Sequence, residues 1–491
     1  MNQRYSGQHV EILQKIARRA MFDRGFLPDF SKKVLKELEG LTASPAKAGG
    51  GARDLRDLLW CSIDNNDSRD LDQLTVAEAH GDGTVRIFVA VADVDSMVRK
   101  GRAIDGHAHH NTTSIYTSAE VFSMLPERLS TDLTSLNHGE DRPAIVVEMI
   151  MGDDGRCQGS EIYRAVVRNH AKLAYNSLAP WLEEDAPMPE AVHAVRGLDE
   201  NLRIQDQVAQ RLRALRYEHG ALSLETVEAR PVFDRGEIRE LQVERKNRAK
   251  ELIEDFMIAA NSETATYLES LNFPSIRRVV HVPKRWDRIV KLVSEYGYQL
   301  PDKPDSTALE KFLMKQRSAD PLRFHDLSQM IIKLIGRGEY VAEYPGDKTE
   351  GHFGLAVKHY AHSTAPNRRF PDLVTQRLLK AAVDGSPTPY GRYELNDLAQ
   401  HCTAKEDDAN KLERLVRKSA AALLLSSRIG EQFEAVVTGA APKGTWVRIL
   451  HQPIEGKLVE GFKGVDVGDR LLVKLIHTNV EKGFIDFKKI D

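Results

Sequence analysis

The stretch from Ser62 to His80, SIDNNDSRDLDQLTVAEAH, constrains this chain more than any other, because an acid-rich loop runs straight into a β-hairpin. Alternation over Leu74–Ala79, the turn Gly81-Asp82-Gly83 and the apolar run Val85–Val91 predict two paired, buried strands. Ahead of them stand Asp64, Asp67, Asp70 and Asp72. Asp70 and Asp72 are two apart, so an extended backbone sends both side chains to one face and Leu71 to the other. Carboxylates gathered at one place repel unless a cation neutralises them. Hard oxygen ligands without His or Cys favour Mg²⁺ or Mn²⁺ over zinc. A solvated acidic turn accounts for the spacing by itself, but acids at the lip of a buried hairpin read as positioned.

A length of 491 residues suffices for a large core and two or three domains. A hydrophobic share of 41% and a charged share of 29% fit a globular protein, and no apolar run is long enough to predict a membrane span. The opening MNQRYSGQHVEILQKIARRA lacks the apolar core and cleavage site of a secretory signal. Cys61, Cys157 and Cys402 are scattered without metal-knuckle spacing, so a reducing cytoplasm is expected. A net charge of −3 speaks against a polyanion binder held by bulk charge, yet leaves room for a basic groove.

Along the chain, 8–24 and 31–41 predict two amphipathic helices, readable as part of a helix-turn-helix or as a cap on the next domain. Residues 43–51 read as a linker. Mixed strands and helices follow, with a long helix over 248–272 and further helices through 284–337. Ser363, Thr364, Pro366 and Asn367-Arg368-Arg369 precede a helix starting at Pro371, and arginines at a helix entrance suit phosphate. Residues 395–427 read as helix, and five short strands after Gly430 as a small barrel. On that barrel Trp446 and His451 are the candidates for exposed, nucleic-acid-facing side chains among lysines.

Several separated blocks together resemble the ribonuclease II and ribonuclease R family of exoribonucleases. They are SIDNNDSRDLDQ at 62–73, MLPERLSTDLTSL at 124–136, LIEDFMIAAN at 252–261, HFGLAVKHYAHSTAPNRRFPDL at 352–373, and the barrel, which is similar to the S1 motif. The resemblance implies an α+β multidomain fold. It would comprise a helical segment at 1–45, an RNB catalytic domain at 50–385, a helical connection at 386–427 and an S1-type OB-fold barrel at 428–491. The helices at 1–45 stand where the family usually has cold-shock barrels, similar to Deinococcus-type ribonuclease II. The implied activity is processive hydrolysis of single-stranded RNA from the 3′ end to nucleoside 5′-monophosphates with Mg²⁺, by a cytoplasmic monomer with no membrane association.

Carried over by position, Asp64, Asp70 and Asp72 match the metal-binding and catalytic aspartates, and Gln73 occupies a further metal position. Arg368 matches the arginine on the scissile phosphate, with Arg369 beside it. Tyr116 matches the aromatic residue at the 3′-terminal base, Tyr175 an RNA contact further up the strand, Glu254 a ribose contact and Glu413 an acid near the site. Two departures stand out. Gln73 replaces a second adjacent aspartate, and Leu224 replaces a phenylalanine that would clamp the last base against Tyr116. These departures keep two alternatives in view: a catalytically weakened RNA-binding relative and, led by the N-terminal helices, a DNA-binding regulator.

Overall fold

The computed structural model describes residues 8–42, 51–226, 228–244, 246–348, 350–441, 443–450 and 452–490; the linker positions 43–50 and His451 lie outside them. Its centre is the expected hairpin. β1 (Arg53–Asp54) and β2 (Cys61–Asp64) precede the paired β3 (Gln73–Ala79) and β4 (Val85–Ala92), whose register runs from Gln73 opposite Val91 to Ala79 opposite Val85. β5 (Ile115–Tyr116) and β6 (Val121–Phe122) form a separate small hairpin, and β7 (Asp141–Met151), β8 (Cys157–Arg168) and β9 (Ala171–Ala174) complete a seven-stranded sheet in the order β1-β8-β7-β4-β3-β2-β9.

The central strands are antiparallel, and both edge pairs, β1 with β8 and β2 with β9, are parallel. β2 pairs with β3 only at Cys61 and Thr75, which leaves the β2-side edge of β3 beyond it without a strand partner. The side-chain amide of Asn201, on the helix Leu198–Glu218, fills that place: it accepts from Ala77 N at 3.1 Å and donates to Ala77 O at 2.7 Å.

The helix Phe370–Val383 packs behind the sheet through buried charge. Arg377 reaches Asp95 at 2.9 Å and Asp105 at 2.8 Å, while Lys380 reaches Asp93 at 2.8 Å and Asp95 at 2.9 Å. Charges removed from water persist only when paired, so this network sets the depth and rotation of that helix.

β10 (Glu228–Asp234) and β11 (Glu237–Glu244) form a hairpin, and β12 (Ser275–Val279) pairs with β13 (Glu339–Glu343). Between that last pair, the helices Trp286–Glu295, Ser306–Ala319 and Pro321–Ile335 enclose an apolar cluster of their own around Trp286, Phe312 and Phe324. The helix Arg392–Leu425, 34 residues long, then runs from the sheet domain to a closed barrel. The barrel consists of β14 (Gln432–Ala441), β15 (Gly444–Ile449), β16 (Glu455–Glu460), β17 (Arg470–Asn479) and β18 (Phe484–Lys489) in the order β14-β15-β16-β18-β17.

The N-terminal helices, Gln8–Asp23 and Lys32–Glu39, both dock on the rest of the chain. The first buries Leu13, Ile16, Ala17, Ala20 and Met21. In the second, Glu37 Oε2 accepts from Ala103 N at 2.7 Å and Ile104 N at 3.1 Å, capping the helix Ala103–Asn111 from outside.

Two outcomes are expected. Replacing Arg377 with Leu takes the counter-charge from buried Asp105, while Asp95 keeps Lys380, and should cost about 3–5 kcal/mol in denaturant unfolding. Burial, and then the charge of His110, hold the His107 imidazole down to about 4. As pH falls below about 6.5 the unfolded chain takes up a proton that folded His107 refuses, so stability drops. His107→Gln should remove on the order of 1–2 kcal/mol of the stability lost between about pH 7 and about pH 5, read as a smaller fall in the thermal midpoint.

Candidate active site

The acidic loop is held by a bracket built from residues 129–136. There the backbone makes one wide π-type turn, with Thr134 N donating to Leu129 O at 3.0 Å, a geometry that recurs at functional sites. It aims two neighbouring side chains at different partners. Ser135 Oγ accepts from Leu71 N at 3.0 Å, and Leu136 N donates to Leu71 O at 2.9 Å. Thr134 Oγ1 lies 2.6 Å from the side-chain amide of buried Asn367. The loop carrying Asp70 and Asp72 and the turn carrying Arg368 are thereby pinned to one another.

Asp72 is the meeting point. Its carbonyl accepts from Ala92 N at 2.9 Å, which continues the β3–β4 ladder to the lip of the sheet. Its carboxylate, 1% exposed, accepts from Asn367 N at 3.0 Å and from Arg368 Nε at 3.2 Å. Burial raises the Asp72 carboxyl to about 7, with Arg368 pulling it down and Asp70 pushing it up. Burial also raises Asp64, and Asp70 adds to that rise. The Arg368 side chain remains 39% exposed beyond its contact with Asp72.

Two aromatic groups flank these charges. Tyr116 Oη donates to Asp70 Oδ2 at 3.3 Å, and Tyr116 N donates to Glu413 Oε1 at 2.8 Å. Ser114 N donates to Arg368 O at 2.9 Å, tying the start of β5 to the arginine turn. Asp64 stands opposite Ala174 in the parallel β2–β9 pair, so Tyr175 follows one step beyond. The Tyr175 phenol is held well above its ordinary value by burial and then by the Asp64 carboxylate.

Asp64, Asp70, Asp72, Arg368, Tyr116, Tyr175 and Glu413, drawn from five separate segments, therefore share one neighbourhood. Among the described residues, no three carboxyl, imidazole or thiol groups stand close enough to hold an ion by themselves. Of the expected ligands, Asp72 faces Asn367 N and Arg368 Nε, while Asp70 takes the Tyr116 hydroxyl. Oxygen donors that raise one another's proton affinity still fit a hard divalent cation. Mg²⁺ is commonly held by one or two carboxylates, with water and substrate phosphate completing the shell.

Comparison with known proteins gives a family and a fold. The RNB domain family matches residues 52–385. The chain belongs to that family. A second match, to the RNase II-type exonuclease C-terminal S1 domain, covers residues 431–490, the closed barrel. Ribonuclease R of Vibrio cholerae is 32% identical over 94% of this chain and 60% of the relative, so the RNB chain spans about 60% of that protein's length. The structure of Mycoplasma genitalium RNase R in complex with ribose methylated single-stranded RNA superposes with a TM-score of 0.88 at 22% identity, over 98% of this chain and 78% of that one. Yeast Ssd1, described as a pseudonuclease, shares the fold with a TM-score of 0.73 at 17% identity, over 94% of this chain and 58% of that one.

Other candidate residues of the RNB chain have partners of their own. Arg369, expected among the RNA contacts, pairs with fully buried Asp372 at 2.6 Å, a carboxylate that also takes Ala365 N at 2.8 Å. Glu254, on the helix Arg248–Ser270, pairs with Lys246 at 2.9 Å. Asp67 stays exposed, and half-buried Gln73 opens β3. Leu224 packs against the Trp286 and Phe312 cluster. Trp446, expected to stand exposed on the barrel, is half-buried beside Gly439 and Gly444, and the well-exposed aromatic side chains there are Phe462 and Phe484.

Sequence reasoning missed the roles of Asn367 N and of the Thr134–Ser135 bracket, because a backbone donor and two hydroxyls in polar stretches carry no local signal. Thr134→Val should leave the buried Asn367 amide without that partner and cost about 1–3 kcal/mol in thermal unfolding. Its effect on Arg368 should be seen as weaker phosphate-dependent RNA binding.

Proposed function

We propose that the chain is a metal-dependent 3′-to-5′ exoribonuclease that shortens single-stranded RNA processively to nucleoside 5′-monophosphates. The observation that carries this reading is the contact of Asp72 with Asn367 N and Arg368 Nε, beside Tyr116 on Asp70. A buried carboxylate, a guanidinium and an aromatic ring at one place suit a phosphodiester next to a terminal base. The family match and the RNA-bound relative support the substrate class.

In this reading a terminal base stacks on Tyr116, which sets the bond that faces the carboxylates and gives end-directed cleavage. Arg368 places positive charge where the phosphoryl oxygens gain negative charge, and Asp72 keeps the guanidinium aimed there. Asp64, Asp70 and Asp72 supply the oxygens for a divalent ion, Mg²⁺ first and Mn²⁺ as substitute. When bound, such an ion supplies a Lewis acid and lowers the pKa of water. A working monomer is part of this reading. Scattered free cysteines suit the cytoplasm, and no described helix is long and apolar enough to cross a membrane.

The fold by itself does not assign activity, as the pseudonuclease shows, and Gln73 is the position that favours a weakened relative as the second reading. A 5′-labelled RNA with a 3′ tail, incubated with Mg²⁺ or Mn²⁺, decides between them. The expected result is a ladder shortening from the 3′ end with mononucleotide release, blocked by EDTA. Arg368→Met should lower the rate about 10²–10³-fold, and Asp72→Asn should abolish hydrolysis while RNA binding survives. Tight binding without hydrolysis by the natural chain would sink the nuclease reading in favour of the weakened relative. A preference for duplex DNA in a salt titration would favour the regulator.

A further inference from the structure

The hairpin that carries Tyr116 has two residues in each strand, too little pairing to hold a fixed shape by itself. Its two faces do different things. Tyr116, 45% exposed, points to Asp70, while its neighbour Ile115 and the cross-strand Phe122 turn inward. There they pack with Met21 and Phe26 of the N-terminal segment and with Leu412 and Val416 of the helix Arg392–Leu425. The hairpin is thus wedged between the first and the longest helix.

Polar ties close the wedge. Arg18 Nη1 reaches Glu120 Oε1 at 2.8 Å, while Nη2 holds both oxygens of Asp29 at 2.5 and 2.6 Å. The same guanidinium lies 5.9 Å from the Phe122 ring, and Gln14 Nε2 donates to Ala119 O at 3.3 Å. On the opposite side Tyr116 N is fixed by Glu413. A ring already held in place binds a base without paying to order itself, whereas a loose ring pays that cost on each encounter.

We infer that the N-terminal helix is the positioning element for the 3′-terminal base, with Arg18, acting through Glu120 and Phe122, as the positioning residue for Tyr116. The inference rests on the reading of Tyr116 as the surface that receives that base. It makes the helical segment a support for recognition rather than a reader of nucleic acid. Arg18 is solvent-accessible, and exposed ion pairs contribute little to global stability, so its removal should act on the hairpin and not on the fold.

The test compares two short single-stranded RNAs that differ only at the 3′ end, one with a terminal adenosine and one with an abasic ribose, bound in EDTA. The natural chain should prefer the base-bearing end roughly five- to tenfold, and Arg18→Met or Glu120→Gln should shrink this to within about twofold. Affinity for the abasic RNA and the thermal midpoint should not move. Tyr116→Ala should lose the same preference, and adding Arg18→Met to it should change nothing more. Lack of preference in the natural chain, an unchanged preference in both variants, or equal weakening toward both RNAs would each overturn the inference. Hydrolysis by the natural chain is measured in parallel with Mg²⁺. Absent hydrolysis with the preference and its loss intact would refute the nuclease reading and leave the positioning role standing.

Discussion

The rest of the structure depends on one buried carboxylate. Asp72 sits at the start of the central hairpin with 1% of its side chain exposed, and its partners lie 295 and 296 positions later in the chain. A carboxylate taken out of water needs donors in fixed places. Here they are the backbone of Asn367 and the guanidinium of Arg368. The contact is satisfied only when the sheet, the bracket at 129–136 and the entrance of the helix Phe370–Val383 are all in place, so the site and the fold assemble together.

Two further layers of buried polarity serve that contact. The Arg377 and Lys380 network fixes the helix behind the arginine turn, and Asn261 steadies the chain on its way there by accepting from Ser363 N at 2.8 Å. Each is made by a polar residue inside an apolar surround, where low dielectric strengthens a satisfied network and penalises a broken one. The same logic pairs Arg369 with Asp372, since that carboxylate is fully buried.

The N-terminal helices show how one sequence pattern admits two uses. Amphipathic spacing with basic residues outside reads as a nucleic-acid motif or as a cap. The apolar stripe of the first is spent on the hairpin of Tyr116 and on the helix Arg392–Leu425, that of the second, with Val34 and Leu38, on the core of the sheet domain, and the Glu37 carboxylate on the end of the helix Ala103–Asn111. The barrel shows a similar shift. Its strands were legible from alternation, but which aromatic side chains stand proud depended on neighbours: Trp446 lies against the backbone at two glycines, while Phe462 and Phe484 are left about half exposed.

The sequence by itself determined the elements and most of the chemistry. The hairpin after the acidic loop, the long helices and the terminal barrel follow from local periodicity, the choice of carboxylates and arginine from motif blocks that keep their order, and the tyrosines from the family resemblance alone. Only the tertiary structure decided which of those groups meet. It joined Tyr116 to Asp70 and Glu413, set Tyr175 beside Asp64, paired Arg369 with Asp372 and gave Thr134 and Ser135 their task. The physical reason is that periodicity records which face of a segment is buried, whereas the partner of a buried polar group is chosen by packing between segments hundreds of residues apart.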